Sequence, residues 1–152
     1  TLAEMRAMVR MLRNEAPVDY APQPGVADLE RLSGASPAGP RVEVAVSGDL
    51  AALPAAIDAA VFRIAQEAVT NARRHARHAT LVDVRVSGDR SSVSLVVHDD
   101  GDPSTADPAP EAGFGLTGMV ERAVLLGGTC QAGPRPGGGW AVTATLPRQV
   151  TA

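Results

Sequence analysis

The apolar positions of this chain change their period along its length, and each change marks an element. Leu2, Met5, Met8, Val9 and Leu12 recur at steps of three and four with arginines on the other side, which predicts an amphipathic helix over residues 1–15. Alone, so short a helix is marginal and wants a partner surface. Residues 16–40 lose the period. Pro17, Pro22, Pro24, Gly25, Gly34, Pro37, Gly39 and Pro40 punctuate a linker, with one docked helical turn at Val26–Leu32. Val42, Val44 and Val46 then alternate, the mark of a half-buried strand over Arg41–Ser47. Beyond the Gly48-Asp49 turn, Pro54 suits the first position of a helix running to about His78. Leu81, Val82, Val84 and Val86 predict a strand over Ala79–Ser87. After Gly88-Asp89, Ser92–His98 returns as its hairpin partner. Asp99–Ala112 holds three prolines and reads as a loop. Gly115–Leu126 is helical, and Gly127–Ala132 and Trp140–Leu146 are strands joined by the Gly- and Pro-rich Gly133–Gly139. Hairpin pairs with helices between them predict an α+β fold, a two-layer sandwich on a mixed sheet. The chain shows no internal repeat.

Composition narrows the function classes. The 152 residues suit one domain with a short appendage, and 45% hydrophobic content supports a core. Aromatics are only 3%, so Val, Leu, Ile and Ala must build that core. Fourteen Lys and Arg against 17 Asp and Glu leave a net charge of -3, which disfavours a sequence-independent nucleic-acid binder. Cys130 is the sole cysteine; no internal disulfide can form, and a small buried hydrophobe on a strand is the plain reading. No apolar run approaches the ~18 residues of a membrane span, and the first residues are no signal peptide. A cytoplasmic domain is expected, with the question of a membrane anchor elsewhere left open. Thr1 is not a natural start, so the chain is expected to be a piece of a longer protein.

Three stretches carry candidate chemistry. On the long helix an apolar stripe of Ile57, Val61, Ile64, Ala65, Ala68 and Ala72 is bordered by a polar line of Glu67, Asn71, Arg74, His75 and His78. The solvent side falls to Arg63, Gln66, Thr70, Arg73 and Arg77. A carboxylate, an amide and cationic groups in line suit a phosphate site, with Asn71 offering an oxygen to Mg2+ and Arg74 and His75 meeting phosphate oxygens. By spacing alone, a solvated face with Glu–Arg pairs is the simpler reading. The second stretch, His98-Asp99-Asp100-Gly101-Asp102-Pro103, follows an apolar strand. A carboxylate there can accept from a base amine while Gly101 lets the backbone approach a flat ring; an ordinary acidic turn is the alternative. The third, Gly113-Phe114-Gly115-Leu116-Thr117-Gly118-Met119, opens a helix whose free N–H groups favour an anion. A Rossmann-type site is disfavoured, because a Pro-rich loop and not a strand precedes these glycines.

Taken together and in order, these stretches resemble the motif set of bacterial histidine kinases. Arg63 through Ala76 resembles their asparagine box, Val97–Gly101 their first glycine box and Gly113–Arg122 their second. Gly118-Met119-Val120-Glu121-Arg122 followed by Leu126-Gly127-Gly128 is similar to the subfamily that serves response regulators of the NarL type. The resemblance covers about residues 40–148, and residues 2–13 look like the end of that subfamily's second dimerisation helix.

The resemblance implies the Bergerat ATP-binding sandwich, its sheet covered on one face by helices. It implies transfer of the ATP γ-phosphoryl to a histidine on a dimerisation domain, for relay to the regulator. Asn71 would be the Mg2+ ligand, with Glu67 one turn before it as a second catalytic residue; Arg74 and His75 would lie near the phosphates. Asp99 would accept from the adenine amine, with Gly101 giving the base room. Gly113, Gly115, Leu116, Thr117 and Gly118 would border the nucleotide, and 102–112 would be the lid. The fragment would be monomeric and the full protein a homodimer. His75, His78 and His98 all lack the context of the family's acceptor histidine, so the chain is expected not to phosphorylate itself. Two positions depart from the pattern. Pro103 stands where a glycine is usual, and Trp140 follows Gly137-Gly138-Gly139 where a threonine is frequent; the indole either packs on its strand or covers the pocket mouth. An ATP-holding module without catalysis and an anti-sigma-factor serine kinase of the same fold are the alternatives.

Overall fold

The computed structural model describes residues 4–5, 23–36, 39–103 and 112–149, of which 36 and 112–115 by backbone alone. The first expected helix beyond Glu4 and Met5, and residues 104–111 of the expected lid, lie outside them. Six strands form one sheet: β1 (Gly34–Ser36), β2 (Gly39–Gly48), β3 (Leu81–Gly88), β4 (Ser92–Asp99), β5 (Thr129–Pro134) and β6 (Trp140–Pro147). Their spatial order is β1-β2-β3-β4-β6-β5. Only β2 and β3 run parallel, because α1 (Ala55–His75) crosses over between them; the other neighbours are antiparallel. The α+β sandwich and mixed sheet expected from the pattern are therefore present.

Period-2 alternation sorts the sheet into two faces. Val82, Val84, Val86, Val93, Leu95, Val97, Val142, Ala144 and Leu146 are buried on one face, with Cys130 on β5. That face receives α1 and α2 (Ala112–Leu125). Ile57, Val61, Ile64, Ala65 and Ala68 are buried as the stripe requires, and Ala72 is half-buried; Ala60, Phe62 and Val69 widen the buried arc. That width corrects the expected solvent side: Gln66 and Thr70 are half-buried, while Arg63, Arg73 and Arg77 are exposed.

Boundaries moved where turn chemistry outweighed periodicity. Pro54 precedes α1 as its N-cap, and α1 ends at His75, three residues before His78. Ala76 is already extended and His78 has φ 58, a left-handed conformation that no helix continues through. The alternation of β2 is buried only at its start: Val42 is inside, Val44 half-buried and Val46 47% exposed.

The docked turn at Val26–Leu32 is a 3-10 helix, and it belongs to the core. Val26 and Leu29 are buried, and Asp58 in the first turn of α1 accepts the Val26 N–H at 2.9 Å. A Cβ on Gly25 would lie 1.9 Å from that carboxylate, so position 25 has no room for a side chain while the contact stands. Gly34–Ser36 adds an edge strand that the Gly- and Pro-rich composition concealed. Leu29 has no exposed surface. Leu29→Ala is expected to lower unfolding free energy by about 2–5 kcal/mol, measured by denaturant titration; a loss under ~1 kcal/mol would show that this turn is not part of the cooperative unit.

Candidate functional site

The last residue of β4 is the most constrained charged group on the helix-covered face. Asp99 continues the buried alternation Val93, Leu95, Val97 and is 4% exposed. Its Oδ1 accepts the Gly101 N–H at 2.8 Å, and the Trp140 N–H also donates to its carboxylate. Burial pushes the Asp99 carboxyl up from the ordinary range; the Gly101 and Trp140 donors and the Arg135 charge act in the opposite direction.

Its neighbour does a different job. Asp100 Oδ1 accepts the N–H groups of Thr80 at 2.7 Å and Leu81 at 2.9 Å, and Oδ2 accepts the Thr80 hydroxyl. Burial opposes ionisation, yet these donors hold Asp100 below the ordinary range. Asp100 thus ties the end of β4 to the start of β3, while Asp99 faces the helices.

Gly101 sits where the sheet edge meets the end of α1. A Cβ there would approach Asp99 Oδ1 at 2.9 Å, the Arg77 carbonyl at 3.1 Å and Ala76 Cβ at 3.3 Å. Asp102 donates its N–H to the same Arg77 carbonyl at 2.8 Å, and His78 Nδ1 lies 2.7 Å from Asp102 Oδ2. The C-terminal end of α1 is therefore fastened to the segment after Asp99. Asn71 lies five residues before Ala76, about 7.5 Å along the helix axis, and Glu67 one turn further. Both are half-buried, at the edge between core and solvent. Arg74 and His75 are exposed, and His78 has left the helix.

The glycine-containing stretch begins α2 earlier than expected, so Gly113 and Gly115 are both helical. Met119 and Ala123 anchor α2 in the core, Leu116 and Val120 flank them, and the helix packs against α1. Thr117 and Gly118 are exposed, with open space where a Gly118 side chain would stand. The fold thus packs α1 against both β4 and α2 on one face of the sheet.

The Gly-rich turn between β5 and β6 is more than a connection. Gly137, Gly138 and Gly139 have φ of 85°, 121° and 83°. A Cβ on Gly139 would lie 2.0 Å from the Asp99 carbonyl, so this turn is pressed against the end of β4. Gly138 approaches Gly101 and Pro103 in the same way. Trp140 is half-buried and packs against the core, which decides for the packing reading. Arg135 was missed altogether. Its Nη1 lies 3.1 Å from His98 Nδ1 and donates to the Asp99 carbonyl at 3.3 Å. An isolated arginine in a turn leaves no signature in the sequence, although the consecutive glycines marked the turn.

Residues 57–150 match the family model described as histidine kinase-, DNA gyrase B-, and HSP90-like ATPase. The sensor histidine kinase LnrJ of Bacillus subtilis is 41% identical over 91 residues, covering 60% of this chain and 22% of that protein. The sensor histidine kinase YxjM of the same organism is 33% identical over 159 residues, covering 99% of this chain and 36% of that protein. The chain thus spans well under half the length of either. Among solved structures, full-length ShkA in complex with AMPPNP superposes with a TM-score of 0.63 at 22% identity, covering 91% of this chain and 34% of that one. That likeness speaks for the fold.

Proposed function

The chain belongs to the family of histidine kinase-, DNA gyrase B- and HSP90-like ATPases, and from that premise we propose that it is the catalytic, ATP-binding domain of a sensor histidine kinase. It transfers the γ-phosphoryl of ATP to a histidine on a dimerisation domain, and a response regulator of the NarL type receives the group from there. The observation that carries this reading is the buried Asp99 carboxylate at the end of β4, beside the C-terminal end of α1. A buried acceptor fixed by main-chain N–H groups is suited to an exocyclic amine, and a base lacking that amine would leave it unpaired. Gly101 keeps the approach to that carboxylate free of a side chain.

Glu67 and Asn71 border the phosphate end. Asn71 would hold Mg2+ through its amide oxygen, with Glu67 assisting one turn away. Among the described residues no three His, Cys, Asp or Glu side chains cluster to cage a metal. Mg2+ retains waters and is shared with substrate phosphates, so a single amide from the protein would suffice to place it. The bound ion would neutralise charge on the transferring group. Gly113, Gly115, Leu116, Thr117 and Gly118 lie in the first two turns of α2, and the first four N–H groups of a helix favour an anion. Arg74 and His75, exposed on α1, reach outward to phosphate oxygens or to the incoming domain.

The accepting imidazole comes from the dimerisation domain. His75 and His78 are exposed near the end of α1, and His98 lies on the other face of the sheet, bonded to Arg135. With γ-labelled Mg-ATP, label is expected on an added dimerisation domain from the same protein and none on this chain alone. Stable label on the isolated chain, or none on the added domain, defeats the proposal.

A further inference from the structure

On the face of the sheet opposite α1 and α2, a line of charged and polar side chains reaches the strand that carries Asp99. His98 pairs with Asp83 across β3 and β4, and Ala141 pairs with His98 across β4 and β6, so all three share that face. Arg85 Nε donates to Asp83 Oδ2 at 2.9 Å, and His98 Nε2 stands 3.4 Å from the same oxygen. Asp83 is 9% exposed, on the face opposite α1 and α2. Arg135 completes the line from the β5–β6 turn, where its own N–H closes onto the Gly139 carbonyl at 3.0 Å. Its Nη1 meets His98 Nδ1 and the Asp99 carbonyl. Accepting at Nδ1 places the His98 proton on Nε2, toward Asp83. Burial, and then the Arg135 charge, hold the imidazole below its ordinary value, so it stays the neutral acceptor that this bond needs.

We propose that Arg135 is a positioning residue for base recognition: from behind the sheet it pins the His98 ring and the Asp99 carbonyl, and so aims the Asp99 carboxylate on the opposite face. This rests on the adenine reading of Asp99 given above. The physical case is the alternation of the strand. With the His98 ring and the Asp99 carbonyl both held by one guanidinium, the last two residues of β4 cannot twist, and the direction of the Asp99 side chain is set. The same bond fastens the turn whose Gly139 abuts the Asp99 carbonyl and whose Trp140 N–H meets the carboxylate. A planar guanidinium can serve two acceptors at once in fixed geometry, which an ammonium does less well. Arg135 also brings a positive charge to a carboxyl that burial pushes up.

The test compares ATP with purine riboside triphosphate, which lacks only the exocyclic amine, by calorimetric titration. The wild type is expected to prefer ATP, and Asp99→Asn to bring the affinity ratio close to one. Arg135→Met, which keeps the aliphatic stem, is expected to lower that ratio about tenfold, the scale of one well-made hydrogen bond. A role in stability alone would weaken both nucleotides alike and leave the ratio unmoved. Arg135→Gln serves as the second variant, and a fall is expected there too should Arg135→Met not fold. A ratio equal to wild type in the folded Arg135 variants, with Asp99→Asn at one, overturns the inference and spares the adenine reading. A wild-type ratio retained in Asp99→Asn, or equal affinities in the wild type, removes that reading and the inference with it.

Discussion

Replacing Asn71 by alanine is expected to cut Mg-ATP-dependent transfer to an added dimerisation domain by roughly a thousandfold, the scale of losing one preorganised charge-stabilising group. Phosphoryl transfer relies on positioning and neutralisation rather than on covalent help from the protein, so a single misplaced ligand is felt in the rate. The fold should survive. Asn71 is half-buried on α1, and alanine is the better helix former at an interior position. Circular dichroism would establish that, and nucleotide binding without Mg2+ should change far less than transfer. Glu67→Gln, one turn away, is expected to lose less. Normal transfer by the folded Asn71→Ala protein would remove Asn71 from the chemistry.

A loss of stability on the scale of a core truncation is expected at Gly139, a buried glycine of the β5–β6 turn. Gly139→Ala would place a Cβ 2.0 Å from the Asp99 carbonyl, at φ +83°. The left-handed backbone costs an L-residue about 1–2 kcal/mol and the overlap about 1–3 more, so roughly 3 kcal/mol of stability should be lost. Gly137→Ala is the control. Its φ is +85°, yet nothing lies within 4 Å of its added Cβ, so only the backbone cost applies. The difference between the two variants in denaturant titration therefore isolates the press of this turn on β4. ATP affinity should fall in Gly139→Ala and hold in Gly137→Ala, because only the former displaces Asp99 and Trp140. Equal destabilisation in the pair would mean that the turn and the strand end are not coupled.

The motif stretches and the elements carrying them were legible in the sequence because they are local. The Ile57–Ala72 stripe, the valines of β3 and β4 and the Gly88-Asp89 turn each fall within one window of chain, where period and turn chemistry decide. The 3-10 helix at Val26–Leu32 was only half legible. Its proline-rich surroundings argued for a linker, while its place in the core depends on Asp58, a residue thirty-two positions away. The same limit explains the end of α1: the period continues to His78, but the Asp102 N–H takes the Arg77 carbonyl with Gly101 close beside it, and the chain must turn.

Asp99 and Asp100 mark the division most sharply. They are chemically identical and adjacent, and only the motif resemblance favoured the first. The fold separates them physically, because strand alternation buries one toward the helices and leaves the other to bond Thr80 and Leu81. By itself the sequence determined the order of elements, the α+β class and the stretches of chain that carry the chemistry, since these follow from periodicity and short-range turn preferences. The tertiary structure alone decided which carboxylate is buried, that Gly139 abuts the Asp99 carbonyl, and that Arg135 holds that carbonyl from the far side. Those are contacts between strands distant in sequence, and no local pattern encodes which distant neighbour a strand end will meet.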